Sequence, residues 1–475
     1  MPDHTDPAQP GSVQPGSVQA EPGKSEVVQA GSGKSEVVQA GSGKSEAGNY
    51  GSVQSEGGPR RRAFLRGALG AGVSGAVAGA AAGYAYRATR PASASQRALE
   101  NAEAGVLPLV PFHGRYQAGI LPRSARQTAV ISFNATADGR AELTGLFRTI
   151  TERARFLTAG GAPPPVGIGA PPSDSGVLGP AVVPDGLTVT VAVGSTLFDD
   201  RYGLAARLPA RLTPMRAFPD DDLDPAQCGG DLVLQLSAGN TDTVLHALRD
   251  IARHTRGGMQ ALWRMDGFTS PARPAGTVPR NMLGFMDGIA NPDPSDRAQM
   301  NRLVWIQPGT AGEPAWTTGG SYFVVQLIRM LVEFWDRVDI TEQENMIGRR
   351  RATGYPLSAT SINATPNFAA DPSGAVIPLT SHIRLANPRT PQTADSRILR
   401  RGYNYDRGLD QVGDLDIGLV FTCFQQDVKR QFETVQTRLA GEPLTDYISP
   451  FGGGYFLALP GVTDRSDYLA RALLA

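Results

Sequence analysis

The first sixty residues of this 475-residue chain contain no Leu, Ile, Phe or Trp. They are filled with Gly, Ser, Gln, Glu and Pro. The stretch GKSEVVQAGS stands at 23–32 and again at 33–42, with a third copy decaying after Gly43. Such a segment cannot bury enough apolar surface to offset the entropy of ordering it. A ten-residue period without apolar anchors is low-complexity sequence rather than a solenoid. Residues 1–58 are therefore expected to form a disordered tail, and any globular fold must be built from residues C-terminal to it.

The next segment opens with Arg60-Arg61-Arg62-Ala63-Phe64-Leu65-Arg66. An uncharged run of mostly Gly and Ala reaches from Gly67 to Tyr86, and Ala92-Ser93-Ala94 then supplies a small-x-small cleavage signature. Basic, apolar and small, in that order, is the pattern of an export signal. The paired arginines before x-Phe-Leu resemble the twin-arginine type. The run is also about long enough to span a bilayer, so a retained membrane anchor is the competing reading; the low hydrophobicity of Gly and Ala weighs against it. Residues 59–94 are read as a twin-arginine signal peptide, which implies the twin-arginine export machinery as a partner and a periplasmic or extracellular destination. That route carries folded proteins and so suits an enzyme loaded with its cofactor in the cytoplasm.

Charge excludes one function class. Lys and Arg number 45 against 45 Asp and Glu, without the basic excess of a nucleic-acid binder, so no nucleic acid is expected as partner. Cys228 and Cys423 stand in no zinc-ligand spacing; both are expected to be reduced and largely buried.

From about Ser95 the chain mixes strands and helices. Strands are predicted at Thr128–Phe133, Leu187–Val193 and Asp231–Ser237, and helices at Ala141–Leu157 and Thr241–His254. In the C-terminal half, strands are predicted at Ser321–Val325, Ile417–Phe424 and Gly454–Leu459. Ile328–Asp336 and the stretch after Phe424 to about Leu439 read as helices. Strand, helix, strand, strand, helix suggests a ferredoxin-like unit. The fold class is therefore α+β, with two ferredoxin-like domains at 107–285 and 286–475, each an antiparallel sheet with flanking helices.

Five histidines occur in the chain. His4 lies in the tail, His113 is expected in a loop, and His246 and His254 sit on one helix in solvated or half-buried positions. His382 lies in Ile377-Pro-Leu-Thr-Ser-His-Ile-Arg-Leu-Ala-Asn-Pro-Arg389, with polar groups set among apolar ones; it can be a structural residue or a metal ligand. Gly284-Phe-Met-Asp287-Gly288-Ile289-Ala290-Asn291-Pro292 is rich in turn signals. A simple turn explains it, and so does a turn whose glycines admit a flat ligand with Asp287 at its edge. In Arg397-Ile-Leu-Arg400-Arg401-Gly402-Tyr403, the adjacent arginines follow an apolar pair and precede a glycine and aromatics, and one turned inward would need an anion.

Taken together, these motifs resemble the dye-decolourising haem peroxidases. The resemblance rests on GFMDG at 284–288 with Asn291 after it, and on His382 placed eighteen residues before Arg400. It extends through Gln117–Ile120, Gly229–Leu232, Gly319–Tyr322, Gly348-Arg349 and Gly452–Phe456, and so over roughly 110–465. The secreted subgroup that includes deferrochelatase-like proteins is similar in style. Gln326-Leu327 departs from it, since basic residues are expected there.

The resemblance implies one haem b per chain, held mainly by the C-terminal domain. His382 would be the proximal iron ligand, and Asp287 and Arg400 the catalytic pair. Gly288, Ile289 and Ala290 would line the haem face; Asn387, Pro388, Arg389 and Arg400 would also contact haem, with Arg389 near a propionate. Asn291 would stand behind this first layer, and so would Asp446, as the acid bonded to the ligand histidine. Hydrogen peroxide and an aromatic or dye reductant are the implied substrates, and a homo-oligomer is compatible with the family. A carboxylate base stays ionised where a histidine would be protonated, which implies an acidic optimum. A bulky dye would be oxidised at the surface through Trp or Tyr, with Tyr403, Tyr405 and the tryptophans as candidates. Iron release from haem, or a non-catalytic haem or iron carrier, are the alternatives; the presence of both Asp287 and Arg400 weighs against a carrier.

Overall fold

The computed structural model describes residues 105–121 and 125–475. The tail, the arginine motif and the cleavage signature lie outside them. Among the described residues, no helix is long and apolar enough to cross a membrane.

Two antiparallel sheets share one strand order. In the first, β1 (Gln127–Ala135), α1 (Arg140–Ala159), β2 (Thr188–Gly194), β3 (Leu232–Ala238), α2 (Thr241–His254) and β4 (Met259–Phe268) succeed one another along the chain, and the strands lie in the order β4-β1-β3-β2. In the second, β5 (Ser321–Met330), β7 (Tyr403–Leu409), β8 (Leu415–Gln425) and β9 (Ile448–Ala458) lie in the order β7-β8-β5-β9, and the two-residue β6 (Leu399–Arg400) adds to β8. Both are the ferredoxin-like arrangement expected from sequence. Contacts between β2 and β9 and between β4 and β7 join the sheets edge to edge, so eight strands close on themselves. Gln117 stitches one seam: its side chain bonds the amide and carbonyl of Val191 and the carbonyl of Leu459, each at 2.8 Å.

The period of the burial pattern explains the helices. On α1, Leu143, Leu146, Phe147, Ile150, Ala154 and Leu157 are buried at helical spacing. Together with Val244, Ala247 and Ile251 of α2 they cover one face of the first sheet.

Several expectations are corrected. Ile328–Met330 continue strand β5, and only Val332–Trp335 are helical. Nine of the ten residues of β5 are buried, so both of its faces are covered and its apolar residues do not alternate with polar ones. A fully buried strand then reads like a buried helix. Strands β4 and β7 and helices α3 (Ile340–Ile347) and α4 (His382–Ala386) stand in addition to the predicted elements. His246 is buried rather than solvated, its Nδ1 2.6 Å from the Ser175 hydroxyl. Both cysteines are free; Cys423 is buried as expected, whereas Cys228 is partly exposed.

Candidate active site

Asp287 directly follows a tight turn closed by an isolated bridge between Arg280 and Met286. Gly284 and Gly288 have φ of 86° and 88°, the left-handed region that glycine tolerates. A Cβ on Gly284 would meet the Arg351 guanidinium at 2.7 Å. The glycines thus serve the turn itself, and Gly284 turns its open side to Arg351 rather than to a flat ligand. The Asp287 amide donates to the Pro279 carbonyl at 3.1 Å, and the Gly288 amide donates to Asp287 Oδ1 at 2.6 Å.

Arg400 arrives from β6, paired opposite Cys423 of β8. Its Nη1 lies 3.0 Å from Asp287 Oδ1, with about a quarter of each side chain accessible. The carboxamide of Asn291, four residues after Asp287, bonds the main chain of Arg400. Arg401 also points inward, and its guanidinium is satisfied by the Gly119 carbonyl and the Tyr403 hydroxyl rather than by an anion.

His382 begins α4. Its Nδ1 lies 2.8 and 3.1 Å from the two carboxylate oxygens of Glu442, which is buried. Burial acts to lower the imidazole pKa, but the Glu442 carboxylate outweighs it and holds the group above its ordinary value. Glu442, not Asp446, is therefore the acid bonded to the histidine. Asp446 lies one turn further along the 3-10 helix Pro443–Tyr447 and is exposed to solvent.

One large cavity brings these groups together. Asp287, Arg400, His382 and Glu442 all line it, against apolar walls that include Phe285, Met330, Leu419 and Phe421. Ile289, Ala290, Asn387 and Arg389 also face it; Gly288 and Pro388 do not. A second cavity, lined by Arg280, Gly288, Asn291 and Asn404, meets the first at Asp287 and Arg400. Gln326, where a basic residue is expected, is buried on the first cavity's wall, with its amide 3.5 Å from Asp221. Burial pushes the Asp221 carboxyl up.

The wall's uncompensated cations come instead from Arg349, Arg389 and Arg397. Arg349, which the sequence offers only as part of the Gly348-Arg349 motif, is buried and donates to the Gly354 carbonyl at 2.7 Å. Burial first, then Arg389 and Arg400, bring its pKa down to about 10. Arg389 stands at φ 61°, and its Nε is buried without a partner. Burial and Arg397 lower its pKa. Buried guanidiniums without carboxylates are costly unless an anion joins them. No spacing rule points to Glu442, sixty residues from His382, or to Arg349; only the folded chain brings them to the cavity.

The chain matches the family model described as Dyp-type peroxidase, N-terminal, over residues 117–269, and the one described as Dyp-type peroxidase, C-terminal, over 278–463. It is 48% identical over 367 residues to a deferrochelatase of Yersinia pestis, covering 77% of this chain and 84% of that one. A deferrochelatase of Escherichia coli K12 is 49% identical over 368 residues, covering 77% and 87%. Among solved structures, ferric DtpA from Streptomyces lividans superposes with a TM-score of 0.70 at 32% identity, over 78% of this chain and 98% of that one. A DyP-type peroxidase from Cellulomonas bogoriensis gives 0.69 at 35% identity, over 77% and 98%.

Proposed function

The chain belongs to the Dyp-type peroxidase family, and on that premise we propose that it reduces hydrogen peroxide with one haem b per chain, bound in the cavity that His382, Asp287 and Arg400 share. Enzymes of this family are haem-binding oxidoreductases that act on peroxide. The observation that carries the site assignment is the convergence on one apolar cavity of an imidazole held by a buried carboxylate and a carboxylate–guanidinium pair.

The residues fit the group. A flat apolar macrocycle suits the walls, and two propionates suit the buried Arg349 and Arg389. With Nδ1 committed to Glu442, His382 has Nε2 left for iron, and the carboxylate makes the imidazole a stronger donor. Bound haem would supply the electrons that cleave peroxide and later withdraw them from a reductant. The Asp287 carboxylate takes the proton from one peroxide oxygen and delivers it to the other, which leaves as water. Arg400 stabilises the negative charge that develops as the O–O bond lengthens. The second cavity, which reaches the pair from another side, gives a small polar substrate a path to Asp287.

The deferrochelatase relatives favour a second reading, release of iron from haem in the same cavity. Twin-arginine export through Arg61 and Arg62 belongs to either reading, whereas an aromatic or dye reductant belongs to the peroxidase alone. The test is an optical spectrum of haem-loaded protein, with steady-state assays in peroxide. A Soret band with peroxide-dependent oxidation of a phenol supports the peroxidase. Metal-free porphyrin appearing without that oxidation supports iron release.

A further inference from the structure

Three guanidiniums on the haem cavity wall, those of Arg349, Arg389 and Arg397, have no carboxylate within ion-pair distance among the described residues. Haem carries two propionates, which two guanidiniums neutralise, so the charge count leaves a third cation. Arg349 is buried and Arg389 is fixed by its left-handed backbone, which makes them the inner pair. Arg397 is partly exposed and stands beside the rim ion pair of Arg302 and Asp395, which lie 3.2 Å apart and are each about half accessible. The neighbouring carboxylates are already engaged, Asp395 by Arg302 and Asp296 by the Gln299 amide at 2.9 Å.

The backbone at Arg397 is anchored, because Gln431 Nε2 donates to its carbonyl at 2.6 Å. Its side chain makes one long hydrogen bond, from Nε to the Ala394 carbonyl at 3.4 Å, so the terminal donors are uncommitted. The next residue, Ile398, and Phe432 line the same cavity. A planar two-pronged donor beside an apolar wall matches a carboxylate or sulfonate attached to an aromatic ring.

We propose that Arg397 docks the anionic group of an aromatic sulfonate or carboxylate reductant at the mouth of the haem cavity. This rests on the peroxidase function proposed for the same cavity. The docked ring gives up one electron per visit; two such electrons and two protons convert one peroxide into two waters. Burial and Arg302 work against the charge on Arg397 and outweigh the opposite effect of Asp395 and Asp296, so an arriving anion relieves a standing cost.

The test compares wild type, R397Q and R397K as haem-loaded full-length proteins. The reductants are the disulfonated aromatic ABTS and the uncharged phenol guaiacol. R397Q raises KM for ABTS about two- to fivefold, the scale of one partly exposed ion pair, and leaves guaiacol turnover and the peroxide KM unchanged. R397K recovers part of the loss. Added salt raises the wild-type KM for ABTS and flattens the difference from R397Q. Equal effects on both reductants, or none on ABTS, overturn the docking role. Loss of haem from R397Q also overturns it, by placing Arg397 on a propionate. Failure of wild type to oxidise either reductant overturns the peroxidase reading, and this one with it.

Discussion

Asn291 grips the main chain of Arg400 at both of its polar groups: Oδ1 accepts from the Arg400 amide at 3.0 Å, and Nδ2 donates to its carbonyl at 2.9 Å. A carboxamide used this way imitates a neighbouring strand. It ties the turn that carries Asp287 to the short strand that carries Arg400, which is 109 residues distant. The 3.0 Å contact between the two charged groups is thus built on a fixed frame. Asn291→Ala should slow the reaction with peroxide by about 10- to 100-fold, the cost of a small misplacement of reacting groups. Haem content should stay at the wild-type level. Stopped-flow mixing with peroxide reads the first quantity, and the Soret-to-protein absorbance ratio reads the second.

Removing the charged groups themselves should cost more. Asp287→Ala loses the proton shuttle, worth about 10²–10⁴-fold. Arg400→Leu loses the fixed cation, worth about 10²–10³-fold. Water can replace a shuttle better than it can replace a cation in an apolar cavity, so Arg400 should matter at least as much as Asp287. The measurement tracks the Soret band after peroxide addition with no reductant present. Wild-type rates in both variants, with only dye turnover lost, would remove both residues from the peroxide step.

The proximal side has its own test. His382→Ala should lose most of the bound haem, because no other histidine among the described residues lines the cavity. Glu442→Gln should keep haem but weaken its hold by about 10- to 100-fold, the usual cost of losing the partner of a ligand histidine. Asp446→Asn should change neither, since that residue is exposed to solvent. Titration of haem-free protein with haem gives all three values.

The same pair makes haem-free protein sensitive to pH. Glu442 holds the folded-state pKa of His382 above its ordinary value against the opposing effect of burial. A raised pKa means that the folded state binds the proton more tightly than the unfolded chain. This stabilisation is fully present below about pH 6.5, where the unfolded histidine is also protonated, and is lost as pH rises through the folded value. The melting temperature of haem-free wild type should therefore fall across that window. In Glu442→Gln the slope should flatten. A wild-type curve that rises through the window would contradict the pairing.

Legibility in the sequence tracked the range of the interactions. The helices α1 and α2 and strands β1, β2 and β3 are set by local periodicity, and each lies close to its expected place. Strand β5 runs past its predicted end at Val325 to Met330, because burial on both faces erases alternation. Asp287, Arg400 and His382 could be picked out because each stands in a short motif. Glu442 and Arg349 could not, because their roles arise from burial and from partners distant in the chain. The expectation of Asp446 fails for the same reason: Glu442 at the cap and Asp446 within the same 3-10 helix are set apart only by the direction of the turn.

Export is the remaining expectation with a direct test. The residues concerned lie outside the described part of the structure, so motif and pathway alone support it. The twin-arginine route reads the guanidinium pair, and lysine supplies charge without the planar fork. Replacing Arg61 and Arg62 together with Lys should leave full-length precursor in the cytoplasm, with haem already bound if loading precedes transport. Fractionation and N-terminal sequencing of the wild-type exported form check both halves. A mature start shortly after Ala94 supports cleavage at Ala92-Ser93-Ala94. An intact N-terminus in the membrane fraction supports a retained anchor instead. Normal export of the double Lys variant would assign the chain to a different route.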